Sequence, residues 1–204
     1  SLVGSEMCIR DSYAKAWKEL KELAEQWNIP VTTSIEGKSA FPEDHPLSLG
    51  SGGRANSRPV KRYLEESDLI LGLGVSFALT AFGVPMPPGK KIIHATLDPM
   101  DLNKDVPADI GLIGDAKLTL AALNSELSNA DNSKAAARAN EPEKINELKE
   151  EWMQEWLPKL TNNEAPINPY RVVAELNQLV DKEKVVITHC LLYTSDAADD
   201  DVRV

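Results

Sequence analysis

Short apolar runs that alternate with helical stretches constrain this chain more than any other feature. "LILGLG" (69–74), "KIIHATLD" (91–98) and "IGLIGD" (110–115) are almost continuous in apolar residues. Such runs suit strands buried on both faces, whereas a strand with one wet face would alternate. "IPVTTS" (29–34) reads as a further short strand, with Pro30 at its start, where a missing amide proton does least harm. Helical stretches lie around them. Tyr13, Ala16, Trp17, Leu20, Leu23, Ala24 and Trp27 recur at steps of three and four, and Asn28 suits a left-handed C-terminal cap. Ser57 with Pro59 opens a second helix over "RPVKRYLEES", and "AKLTLAALNSEL" (116–127) forms a third. Strands and helices in alternation predict an α/β fold, an open parallel sheet with helices on both faces.

The rest of the chain divides around this block. "EGKSAFPEDHPLSLGSGG" (36–53) reads as a loop, and "SNADNSKAAARANE" (128–141) as a linker of small polar residues. "PEKINELKEEWMQEWLPKL" is a helix whose Glu and Lys runs form its wet face, "INPYRVVAELNQLV" starts another at Asn168 and Pro169, and "KVVIT" (184–188) begins a strand. A second α/β domain therefore starts near residue 142 and is cut short. Residues 1–12 ("SLVGSEMCIRDS") show neither a helical nor a strand period, and residues 190–204 ("CLLYTSDAADDDVRV") run from an apolar triplet into aspartates. Both ends read as translated sequencing-adapter DNA. The expected organisation is a central domain over 13–127, a linker over 128–141, and a helical connector with the start of a further domain over 142–189.

Composition excludes several classes. The 204 residues carry a net charge of −10, with lysines and arginines scattered among carboxylates, so no phosphate-backbone footprint is visible and nucleic acid is not expected as a partner. No apolar stretch approaches the roughly 20 residues of a membrane helix. Cys8 and Cys190 are the two cysteines, both in the end segments, and cannot make a disulfide framework. A cytoplasmic protein is expected.

The candidate chemistry is sparse. Gly72 and Gly74 supply two glycines of a G-x-G-x-x-G dinucleotide fingerprint, but Phe77 stands where the third belongs. A buried strand with a tight glycine exit accounts for the same residues. Asp98 ends the next strand, where a carboxylate can accept a ribose hydroxyl, and Gly114, Asp115 and Ala116 carry the following strand into a helix. "GDA" followed by Asn140 imitates a diphosphate and magnesium motif, but that motif needs a helix and a strand between its ends, and 128–140 is linker-like. His45, His94 and His189 have no metal-ligand spacing, and His94 inside a strand reads as structural. Ser34, Ser39 and Ser51 form no nucleophile elbow. No catalytic residue and no metal ligand is assigned.

Taken in order, "ELAEQWNIPVTTSIEGKSAFPEDHPLSLG", "SDLILGLGVSF", "KIIHATLDPMDLNKDVPADIGLIGDAKLTLAAL" and "INPYRVVAELNQLV" resemble the central domain of thiamine-diphosphate-dependent enzymes of the acetolactate synthase type. The resemblance covers nearly all of 13–189. It implies a Rossmann-like central domain between a pyrimidine-binding and a diphosphate-binding domain, and thiamine diphosphate with magnesium bound by motifs outside these residues. It also implies decarboxylation or ligation of 2-oxo acids, and a homodimer or tetramer. The catalytic glutamate and the Gly-Asp-Gly motif of that family are absent here, so the chain alone is expected to be inactive. Some relatives bind FAD or ADP on the central domain, and Gly74, Asp98, Gly114, Asp115 and Ala116 match positions lining that flavin site. The family's arginine after "GV" is Ser76 here and the charged residues after it are replaced within "FALT", which weighs against FAD. The alternative from another class is a self-contained FAD- or NAD-binding module without catalysis of its own.

Overall fold

The computed structural model describes residues 2–7, 15–35, 37–38, 40–52, 57–79 and 86–181, with the backbone alone for 2–7. Tyr13, Ser39, the "KVVIT" strand, His189 and the 190–204 tail lie outside the described residues. Six strands form one sheet: β1 (Leu2–Met7), β2 (Val31–Thr33), β3 (Ser48–Ser51), β4 (Leu69–Leu73), β5 (Lys91–Thr96) and β6 (Ile110–Ile113). Their order is β3-β2-β1-β4-β5-β6 and every pair is parallel. This is the doubly wound order, in which the chain reverses direction across the sheet between β1 and β4.

Helices connect or follow these strands. They are α1 (Trp17–Trp27), α2 (Arg58–Glu66), α3 (Ala116–Leu127), α4 (Ser133–Ala136), α5 (Glu141–Leu160) and α6 (Pro169–Leu179). The crossover from β1 to β2 through α1 and that from β3 to β4 through α2 run in opposite directions. Right-handed connections therefore place the two helices on opposite faces. Leu20, Leu23, Ala24 and Trp27 turn the predicted stripe of α1 into the core, while Trp17 stays exposed at the helix start. Val31, Leu49, Val60, Leu64, Ile70, Leu73, Ile92 and Leu120 complete that core. No described helix is long and apolar enough to cross a membrane.

Three elements depart from the sequence reading. The first is β1, placed where residues 1–12 show no strand period. It pairs Leu2 with Leu69 and Met7 with Leu73 on one side, and Glu6 with Thr32 on the other. Parallel pairing on both sides is made by the backbone, so it needs no side-chain alternation, and a register shift between Val3 and Ser5, at Gly4, breaks whatever period remains. The second is β3, inside the expected 36–53 loop. It is a four-residue edge strand of serine, leucine and glycine, held by Thr32 Oγ1 donating to the Gly50 carbonyl at 2.9 Å and by a Thr33–Ser51 hydroxyl pair at 3.2 Å.

The third is the expected linker, 128–141, which is packed. It contains α4, its Ala135 is buried, and the Arg138 guanidinium donates twice to the Trp27 carbonyl, at 2.8 and 3.0 Å. Glu141 begins α5 buried against Tyr63 of α2, a position at odds with the wet face expected there. The segment thus links the C-terminal end of α1 to the C-terminal end of α2, at the edge of the sheet where strands begin. The chain divides into two compact units, Ser1–Met153 and Gln154–Val204, so the division falls within α5 and beyond the expected linker. In the second unit Trp156 packs edge-on to Tyr170 at 5.1 Å, and Asn168 caps α6 by accepting from the Tyr170 amide.

Asn28 takes the left-handed conformation predicted for it (φ 49°, ψ 50°), and its Nδ2 donates to the Ala135 carbonyl at 3.1 Å. Asn28→Ala should cost about 1–2 kcal/mol, from the left-handed backbone and the lost hydrogen bond. Asn28→Gly recovers only the backbone part. Urea unfolding of the three chains checks the order. Equal stability of the alanine and glycine variants would show that the left-handed turn carries no strain.

Candidate functional site

Because all six strands are parallel, their C-terminal ends share one edge, and ligands of open α/β sheets sit along that edge beside the strand-order reversal. Neighbouring strands are about 4.8 Å apart, so the exits of β4, β5 and β6 lie within about 10 Å of one another. The five sequence-predicted residues all fall there. Gly74 follows β4 with φ 60°, a conformation that favours glycine, and its amide donates to the Ala95 carbonyl at 2.8 Å. Asp98 follows β5, exposed, and its carboxylate accepts from the Met100 amide at 2.9 Å, capping a 3-10 turn over Pro99–Asp101. Gly114 follows β6 and its amide donates to the Thr96 carbonyl at 3.0 Å. Asp115 is the N-cap of α3, its carboxylate accepting from the Leu118 amide at 3.0 Å, and Ala116 is the first helical residue.

The glycine pair of β4 does not build a phosphate cradle. The chain after Gly74 folds back over its own strand, and a Cβ placed on Gly72 would run into the Phe77 ring and meet Val75 Cγ1 at 2.8 Å. Phe77 is buried, adopts φ 49°, and sets its ring edge-on to His94 at 4.8 Å. His94 is fully buried and its Nε2 donates to the Val75 carbonyl at 2.6 Å, so it is a structural group fastening the loop to β5. Among the described residues its Nδ1 has no partner. The structural role expected of His94 agrees with these contacts to Val75 and Phe77.

Sequence reasoning missed the polar contacts away from this edge. Tyr63 donates its hydroxyl to Glu141 Oε2 at 2.8 Å, and Lys144 Nζ contacts Glu141 Oε1 at 2.8 Å. Burial, then the hydrogen bond to Glu141, pushes the Tyr63 phenol well above its ordinary range. These groups line a cleft of about 340 Å³ between α2 and α5. A second, of about 510 Å³, lies between the Glu43–Pro46 loop and α5, and there burial lowers the Lys149 pKa against the opposing pull of Glu43 and Asp44. Neither cleft includes an edge residue. Among the described residues no group of three or more His, Cys, Asp or Glu side chains is placed to hold a metal ion. His45 is held by the Leu47 amide donating to its Nδ1 and by Glu25 at 3.2 Å from Nε2.

Known proteins are similar to this chain in sequence. The probable acetolactate synthase large subunit of Methanococcus aeolicus is 33% identical over 172 residues, covering 80% of this chain and 28% of that protein. Its counterpart of the same description in Methanocaldococcus jannaschii is 34% identical over 169 residues, covering 82% and 27%. Acetolactate synthase 1, chloroplastic, of Zea mays is 29% identical over 177 residues, covering 86% and 27%. The chain thus spans little more than a quarter of the length of these relatives. A family profile described as "Thiamine pyrophosphate enzyme, central domain" matches residues 9–123, from just after β1 into α3. With more than half of its residues inside that match, the chain belongs to the thiamine pyrophosphate enzyme central-domain family.

Proposed function

We propose that this chain is the structural middle of a thiamine-diphosphate-dependent enzyme of the acetolactate synthase type, one that decarboxylates or ligates 2-oxo acids. The observation that carries the reading is the family match over 9–123 on a sheet of doubly wound order. Thiamine diphosphate supplies carbanion stabilisation when a 2-oxo acid loses its carboxylate, and proteins contribute binding and orientation. The residues here provide the frame. Cofactor and magnesium are held by modules beyond them, in a cytoplasmic homodimer or tetramer. Within the frame, 13–127 is the central domain and 142–189 leads into the diphosphate-binding domain. Gly74, Asp98, Gly114, Asp115 and Ala116 form the edge that faces a nucleotide in flavin-bearing relatives. A self-contained FAD- or NAD-binding module is not favoured, since the relatives are large synthase subunits of which this chain matches one part.

The expected result is carbon dioxide release from pyruvate by the full-length parent, dependent on thiamine diphosphate and magnesium, and none by the 204-residue chain under the same conditions. Turnover by the chain alone, or cofactor-independent turnover by the parent, would overturn the reading.

A further inference from the structure

A lysine held in an ion pair or left in open water is a weak nucleophile at neutral pH, because its amine stays protonated; partial burial without a partner changes that. Lys149 is in this third state. It is half-buried on α5 and lines the cleft of about 510 Å³ that faces the Glu43–Pro46 loop. Lys18, Lys21, Lys61 and Lys144 each contact a glutamate on their own helix. Among the described residues no salt bridge or hydrogen bond reaches the Lys149 amine. Glu43, across the cleft, is engaged elsewhere, its Oε1 lying 3.5 Å from Lys38 Nζ and accepting from Ser51 Oγ at 2.8 Å, while His45 is held by Glu25. We propose that Lys149 is an imine-forming site for small neutral aldehydes.

The lining of the cleft sets the chemistry. Pro46, Pro142 and Ile145 give it an apolar wall suited to a short alkyl chain. Its titratable groups are Glu43, Asp44, Glu143 and Glu147 against His45 and Lys149 itself. Charges within about 8 Å, the screening length at physiological salt, act on one another, so this surplus of carboxylates repels an anionic carbonyl compound and favours a cationic product. Burial lowers the Lys149 pKa against the pull of Glu43 and Asp44, which leaves a larger share of the amine neutral than in an exposed lysine. The amine lone pair adds to the aldehyde carbon to give a carbinolamine. With a proton from solvent this loses water, and the protonated imine that remains is the cation the carboxylates stabilise. The Glu43–Pro46 loop leads into β3, so the cleft lies at the edge where strands begin, and the proposal does not rest on the thiamine reading.

The test treats the 204-residue chain with propanal or, separately, glyoxylate in the presence of cyanoborohydride, which passes a hydride to a protonated imine and leaves a secondary amine that peptide mass spectrometry locates. Labelling of Lys149 is divided by that of the exposed Lys91 and Lys134, so the intrinsic reactivity of each aldehyde cancels. With propanal at about pH 7 the ratio should be about three or more, and it should fall to about one in urea. A ratio near one in the folded chain overturns the proposal. The lead should widen as pH falls from about 9 to about 7, since the less basic amine keeps its lone pair longer, and a lead that narrows overturns the part played by burial. Glyoxylate carries a negative charge and should give a ratio several-fold lower than propanal. Asp44→Asn combined with Glu147→Gln, confirmed folded by circular dichroism, should raise the glyoxylate ratio. Equal ratios for the two aldehydes, or no response to the double variant, overturn the role of the carboxylates.

Discussion

Gly72→Ala is expected to lower the stability of the chain by about 3 kcal/mol, the upper part of the range for overpacking a filled core. The methyl has nowhere to go, because the Phe77 ring lies over the glycine and Val75 Cγ1 would stand 2.8 Å from the new carbon. Alanine gains roughly 0.5–1 kcal/mol over glycine inside a strand, which is too little to offset the collision. Phe77→Ala alone leaves a cavity and costs about 3 kcal/mol by itself. In the double variant the ring is gone, so the two costs should fall short of their sum, leaving a coupling of about 1–2 kcal/mol. Strictly additive unfolding free energies would show that Phe77 is not what the methyl meets.

The second large effect concerns the opposite end of the sheet. Tyr63→Phe removes the neutral donor on the Glu141 carboxylate, which is buried and also contacts Lys144. A hydrogen bond to a charged group contributes about 1.5–3 kcal/mol, and a loss in that range is expected. It also carries a pH signature. The phenol pKa is raised in the folded chain above the ordinary 10.0, first by burial and then by Glu141, so the folded state holds this proton where the unfolded state releases it. Its contribution is complete below pH 10.0 and is lost as pH climbs through the raised folded value. Urea midpoints of the unaltered chain should therefore decline with alkalinity more steeply than those of Tyr63→Phe. Parallel curves would mean that the phenol is not held by Glu141.

These two sites differ in how far the sequence exposed them. The C-terminal edge was legible because its residues follow apolar runs, and a parallel sheet brings every run's end to the same side. Gly74, Asp98 and Gly114 needed only that rule to be grouped. The substitution of Phe77 for a third glycine was visible too, though only the folded loop shows the ring turned back onto Gly72. Tyr63 and Glu141 are 78 positions apart, and Arg138 is 111 positions from the carbonyl it grips. Nothing local distinguishes a buried carboxylate at the start of a charged helix from a wet one, so 128–141 took on the character of its composition. β1 and β3 were hidden for a related reason. One is paired on both sides by backbone and interrupted at Gly4, and the other is built from serine, leucine and glycine, with hydroxyls supplying the cross-strand contacts.

The placement of β1 at the middle of the sheet has a consequence for synthesis. Of the six strands β1 is made first, β2 pairs with it, β3 pairs with β2, and β4 returns to the free side of β1 before β5 and β6 add outward. Each of β2 to β6 meets a partner translated before it. The sheet can thus grow from an existing seed, with one side of β1 held open until β4 is made.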